Sequence, residues 1–163
     1  MSHETLVLIH LVGAVLFVGA IALEVFILEP IKKHIGLESF QKFEFHLFRA
    51  IKRRYWVAVL PLYITGFVMY FQYLESFGGF QALIATDFGK LLTLKLALAV
   101  GLLGIFLSAP FVFMRRQPNP IKHFFLVTGG WQDFRIDRFE VVHYLALAFG
   151  LGLVILGKVI WMV

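Results

Sequence analysis

The chain has 163 residues, of which 60% are hydrophobic and 15% charged, against about 45–50% and about 25% in a soluble domain. That balance excludes a water-soluble globular fold, and the lack of cysteine excludes disulfides and thiolate metal centres, which leaves histidine, methionine and carboxylates as ligands. The net charge of +5 is not a nucleic-acid footprint, because the basic residues are gathered in two segments between apolar runs.

Thr5 to Leu23 carries no formal charge, and the run continues past Glu24 to Pro30. At about 1.5 Å per residue it crosses a hydrocarbon core of about 30 Å. A cleaved signal peptide needs a positive leading region, whereas only Glu4 is charged before Thr5, so a retained first span is expected. Next, Phe40, Phe43, Leu47 and Ile51 lie opposite Gln41, Lys42, Arg49 and Lys52. That pattern predicts an amphipathic helix lying at the membrane surface.

Tyr55 to Leu74 is a second uncharged run, and Gly78-Gly79 marks a turn, with Asp87 as the expected cap of the third helix. Leu96 to Met114 is the third run, and Tyr144 to Gly157, extended around Lys158 to Val163, is the fourth. Between them, Pro118-Asn119-Pro120 and Gly129-Gly130 predict turns, and alternating charges from Asp133 to Glu140 suit a helix emerging into water. The expected architecture is an all-α bundle of four transmembrane helices at about 5–30, 54–75, 88–114 and 138–163, a single domain over 1–163. Twelve of the fifteen basic residues fall in the two connections 1–2 and 3–4. The positive-inside rule then places both termini outside, in a multi-pass protein of a bacterial inner membrane.

Ionisable residues within spans are costly, by roughly 2.5–3.5 kcal/mol at the centre, and mark candidate sites. They are His10, Glu24, Lys95, His143 and Lys158. On helix 1, His10, Phe17 and Glu24 recur every seven residues and share a stripe. His143, Gly150 and Gly157 form the matching stripe on helix 4, where the glycines admit a neighbouring helix or a flat ligand. If helices 1 and 4 run antiparallel, two polar layers follow. The outer one holds His10, Lys95, Lys158 and, from helix 2, Met69, Tyr70 and Tyr73; the inner one holds Glu24 and His143.

Imidazole and thioether both ligate haem iron, and Gly13 and Ala14 are expected to leave space beside His10. A histidine at this depth also serves by hydrogen-bonding a neighbouring helix, so both readings stand. For Glu24 and His143 the readings are an interhelical hydrogen bond or ion pair, and a proton or metal site. Lys95 and Lys158 can snorkel outward. A single Glu-x-x-His, Glu140 and His143, falls short of a di-iron carboxylate site.

The stretch from Leu47 to Phe113 contains Ile64-Thr65-Gly66, Gly89-Lys90-Leu91-Leu92 and Leu94-Lys95-Leu96, and in these motifs it resembles the copper resistance protein D (CopD) domain. Leu8-Ile9-His10 with Gly19 is similar to the start of the HemJ family of haem-containing protoporphyrinogen oxidases. The resemblances imply a four-helix membrane unit with a b-type haem or a copper-linked role, and they carry family importance onto His10 and Lys95. HemJ-like proteins have a tryptophan before the helix 3 lysine and a Pro-Arg late in helix 1. Here those stretches read Phe88-Gly89-Lys90 and Glu24-Val25-Phe26, which speaks against protoporphyrinogen oxidation.

The resulting expectation is a membrane redox protein with haem b in its outer half. His10 and Met69 are the metal-ligand candidates, and Lys95 and Lys158 stand ready for propionates. Copper homeostasis and a cofactor-free accessory subunit are the alternatives. The lipid bilayer is the expected environment, with a redox partner or a second copy of the chain as partner.

Overall fold

The computed structural model describes residues 2–113, 139–160 and 162, and these form helices joined by short turns. Helix α1, His3–Leu23, starts at Ser2, whose side chain accepts the Thr5 amide, a standard N-cap. It runs through a π-helical turn, Glu24–Leu28, into α2, Glu29–Ile35. The physical reason for the wide turn is Pro30. Proline offers no N–H to the preceding turn and its ring crowds the carbonyl four residues back, and one extra residue in the turn relieves both. Gly36, at φ +76°, breaks the chain before α3, Leu37–Ser76. Gly78 and Gly79, at φ +76° and +124°, then make the turn expected there. Helices α4, Phe80–Ala85, α5, Asp87–Phe113, and α6, Phe139–Ile160, follow.

Among the described residues four helices are long and apolar enough to cross a bilayer, and their outward faces agree with that solvent. Val15, Phe26, Val57 and Ile155 are each more than 60% exposed, which is tolerable only against lipid. The protein is a multi-pass membrane protein. Helix α1 packs along α3, α5 along α6, and α6 against α1, whereas α3 and α5 make few close backbone approaches. Long side chains bridge that gap: the Tyr63 hydroxyl donates to the Ala99 carbonyl at 2.8 Å, and the Tyr70 and Thr93 hydroxyls lie 3.4 Å apart. The middle of the bundle is a plug of Phe17, Ile21, Val25, Val59, Leu102, Ala146 and Leu147, with Phe106 edge-on to both Phe17 and Trp56. It separates the polar groups at the two ends.

Two local expectations change. The amphipathic segment is helical, but it is the first part of α3 rather than a separate surface helix. Its 40 residues span about 60 Å, twice the hydrocarbon thickness, so α3 extends beyond the membrane core. Its inward face is also different: Phe40, Glu44 and Phe45 are buried while Phe43 is 43% exposed. The cap of α5 is Thr86, whose hydroxyl accepts the Gly89 amide at 3.0 Å. Asp87 is instead the first helical residue, where its charge favours the positive end of the helix dipole, and it pairs with Lys90 at 2.8 Å. The turns expected at Pro118–Pro120 and Gly129–Gly130, and the charges from Asp133 to Arg138, lie outside the described residues.

Candidate functional site

At the Gly78 end, where α3 stands off from α5, the four long helices line a partly open cavity of about 620 Å³, within the roughly 300–1,000 Å³ of small-molecule sites. His10, Met69, Lys95 and Lys158 all line it, with Tyr70, Tyr73 and His3. The apolar plug forms its floor through Phe17 and Leu102.

His10 is held by α3. Its Nδ1–H donates to the Leu62 carbonyl at 2.9 Å, with the Thr65 hydroxyl at 3.2 Å. Since a carbonyl only accepts, Nδ1 carries a proton, and in the neutral imidazole Nε2 keeps its lone pair. A histidine oriented in this way is ready to ligate a metal. Thr65 is itself fixed, because its hydroxyl donates to the Pro61 carbonyl at 2.6 Å. Gly66 makes room for the ring, and a Cβ there would lie 3.0 Å from His10 Cε1.

The Lys95 amine reaches across to α6, 3.3 Å from where Gly157 would carry a Cβ. It therefore extends toward the end of the last helix while remaining in the cavity wall. A Cβ at Gly150 would lie 3.3 Å from Val18 Cγ2 of α1, so this glycine serves helix packing as well as lining the cavity. Gly13 also serves packing: a Cβ there would lie 3.0 Å from Leu62 Cβ and 3.2 Å from the Ala58 carbonyl. The space expected beside His10 at Gly13 is filled by α3, and only Ala14 of that pair lines the cavity.

At the Gly36 end, His143 Nε2 and Glu24 Oε2 are 2.6 Å apart, and the Tyr55 hydroxyl donates to Glu24 Oε1 at 2.7 Å. Both carboxylate oxygens are thus engaged, which joins α1, α3 and α6. Glu29 and Glu44 are buried near them. Among the described residues no three His, Asp or Glu side chains converge on a metal position.

Three of these residues were passed over in the sequence. His3 continues the stripe of His10, Phe17 and Glu24 seven residues earlier, and its ring meets Tyr73 edge-on at 6.0 Å. Glu44 sits between Phe40 and Leu47 on the apolar stripe of the amphipathic segment, where a lone carboxylate was itself the signal. Tyr55 had no comparable marker, because a tyrosine at the start of a span reads as an interface residue.

Comparison with known proteins agrees with the fold. Neither a curated protein nor a solved structure matches the chain. A family model described as copper resistance protein D matches residues 46–162. That range takes in Met69, Lys95, His143 and Lys158 and leaves out α1 with His10 and the π-turn with Glu24. Residues 46–162 are well over half of the 163, so the chain belongs to the copper resistance protein D family.

Proposed function

We propose that the protein binds haem b in the cavity at the Gly78 end and serves membrane electron transfer or oxidation. The observation that carries this reading is His10: a histidine in the wall of a large, mostly apolar cavity, its Nδ1–H tied to Leu62 and its Nε2 left as a donor to a metal. The other residues fit the group. Met69 stands in the same wall as a second residue that would ligate the iron, with Tyr70 and Tyr73 as substitutes. Lys95 and Lys158 supply cations for propionates that would otherwise be buried anions. Apolar side chains of all four long helices make up most of the cavity wall.

Haem so bound supplies one-electron chemistry, with a potential set by its axial ligands and surroundings. The chain's own part is to orient the imidazole, balance the carboxylates and line the pocket with apolar side chains. Residues 46–162 alone, the span of the family match, would lack His10, so α1 is integral to this proposal. The outer half of a bacterial inner membrane is its expected location.

The family description names copper, and a copper ion on His10 and Met69 is the second reading. It is weaker because soft copper ligands are scarce, with no cysteine and only four methionines in the chain, whereas haem needs only one or two donors from the protein. Protein purified in detergent from haem-replete cells should show a Soret band, and His10→Ala should remove most of it. Met69→Leu should keep the band and lower the reduction potential, since thioether ligation raises it. A colourless wild type that retains copper on metal analysis would establish the second reading. One with neither cofactor would leave an accessory role.

A further inference from the structure

The cluster at the Gly36 end has no part in the cavity. Glu24 has both oxygens engaged: Oε1 accepts from the Tyr55 hydroxyl, and Oε2 lies 2.6 Å from His143 Nε2. Glu44 is different. It is 1% exposed, and its Oε2 is buried without a hydrogen-bond partner among the described residues. Among the described residues, the charged groups that act on it are Glu29 and Lys32 from α2 and Glu24 from the π-turn. Two carboxylates thus face it against one ammonium. Lys32 is in turn 3.9 Å from Glu29, so its charge is shared. A third carboxylate charge in this place would be buried, unpaired and repelled, a combination that proteins avoid by taking up a proton.

We propose that Glu44 is a proton-binding site, in which its carboxyl takes up and returns one proton to water at the Gly36 end of the bundle under the control of Glu24, Glu29 and Lys32. The step is a proton transfer alone: one carboxylate O–H bond forms as one hydronium O–H bond breaks, and no electron moves. The sequence supports the placement. The basic residues that predict the cytoplasmic side include Lys32 and Lys42, on the same elements as the cluster, so the site would exchange with that compartment. The proposal does not depend on any cofactor in the cavity.

Infrared pH titration of the protein reconstituted in phosphatidylcholine bilayers provides the test, because a protonated carboxyl has a C=O stretch well separated from carboxylate bands. Folded wild type should show that band at neutral pH and lose it as the pH is raised. Glu44→Gln should abolish it. Glu24→Gln removes a repelling charge and should lower the midpoint by about one pH unit, while Lys32→Gln removes an attracting one and should raise it. A neutral-pH spectrum without the band, or a band that survives Glu44→Gln, would overturn the proposal. Should Glu44→Gln fail to fold, the two opposite midpoint shifts decide, and a midpoint unmoved by both neighbours would refute the assignment.

Discussion

His10 illustrates how one side chain depends on the backbone beside it. Its ring lies against Gly66 and its Nδ1–H is spent on Leu62, so a methyl group at 66 must push the imidazole away from α3. Gly66→Ala should therefore destabilise the protein by about 1–3 kcal/mol, the usual cost of overpacking. The same change made on top of His10→Ala should be neutral or stabilising, because the clash is gone and alanine is the better helix former. Equilibrium unfolding in detergent of the two single variants and the double variant measures this. The Glu24 carboxylate allows a parallel cycle. With His143 at 2.6 Å, Glu24→Ala and His143→Ala should be non-additive by about 0.5–2 kcal/mol, within the range of interhelical polar contacts in membranes. Simple additivity would mean that the contact contributes nothing to stability. Although 119 positions separate Glu24 from His143, matching the depths of antiparallel helices 1 and 4 put both in one layer, and the structure brings them into contact.

Within an element, the spacing of small residues decides which helix face touches its neighbour. Gly13 and Gly19 both lie on α1, and a Cβ at Gly13 would press on Leu62 and on the Ala58 carbonyl, whereas a Cβ at Gly19 meets nothing within 4 Å. A backbone carbonyl cannot move aside as a side chain can. Gly13→Ala should thus separate α1 from α3 and destabilise by about 1–3 kcal/mol, while Gly19→Ala should be neutral or gain up to about 1 kcal/mol of helix propensity. Thermal unfolding of the two variants in one detergent compares them directly. The amphipathic segment teaches a related lesson. Its periodicity was readable, but not its continuity with the following span, because a helical pattern contains no instruction to bend at the membrane surface unless a glycine or proline interrupts it. Gly36 interrupts before the segment, and nothing interrupts between Phe40 and Tyr55.

For the whole molecule, orientation rests on the twelve-to-three division of basic residues between the two sides. Cysteine introduced at Lys42 should be protected from an impermeant thiol reagent in intact cells, and cysteine at Gly78 should be labelled. The reverse would invert the bundle and put the cavity on the cytoplasmic side. The number of long apolar helices and the turn at Gly78-Gly79 were legible in the sequence alone, because a hydrocarbon slab of fixed thickness imposes a length and an uncharged composition on each helix. The polar positions His10, Glu24, Lys95, His143 and Lys158 were legible for the same reason, since each stands out against an apolar run. Only the tertiary structure decided what surrounds them. It closed Gly13 against α3, opened the cavity between α3 and α5, turned the Lys95 amine over Gly157, and buried Glu44 beside Glu29 and Glu24. Those outcomes depend on the rotation and separation of helices distant in sequence, which short-range packing between the faces sets and no single helix encodes.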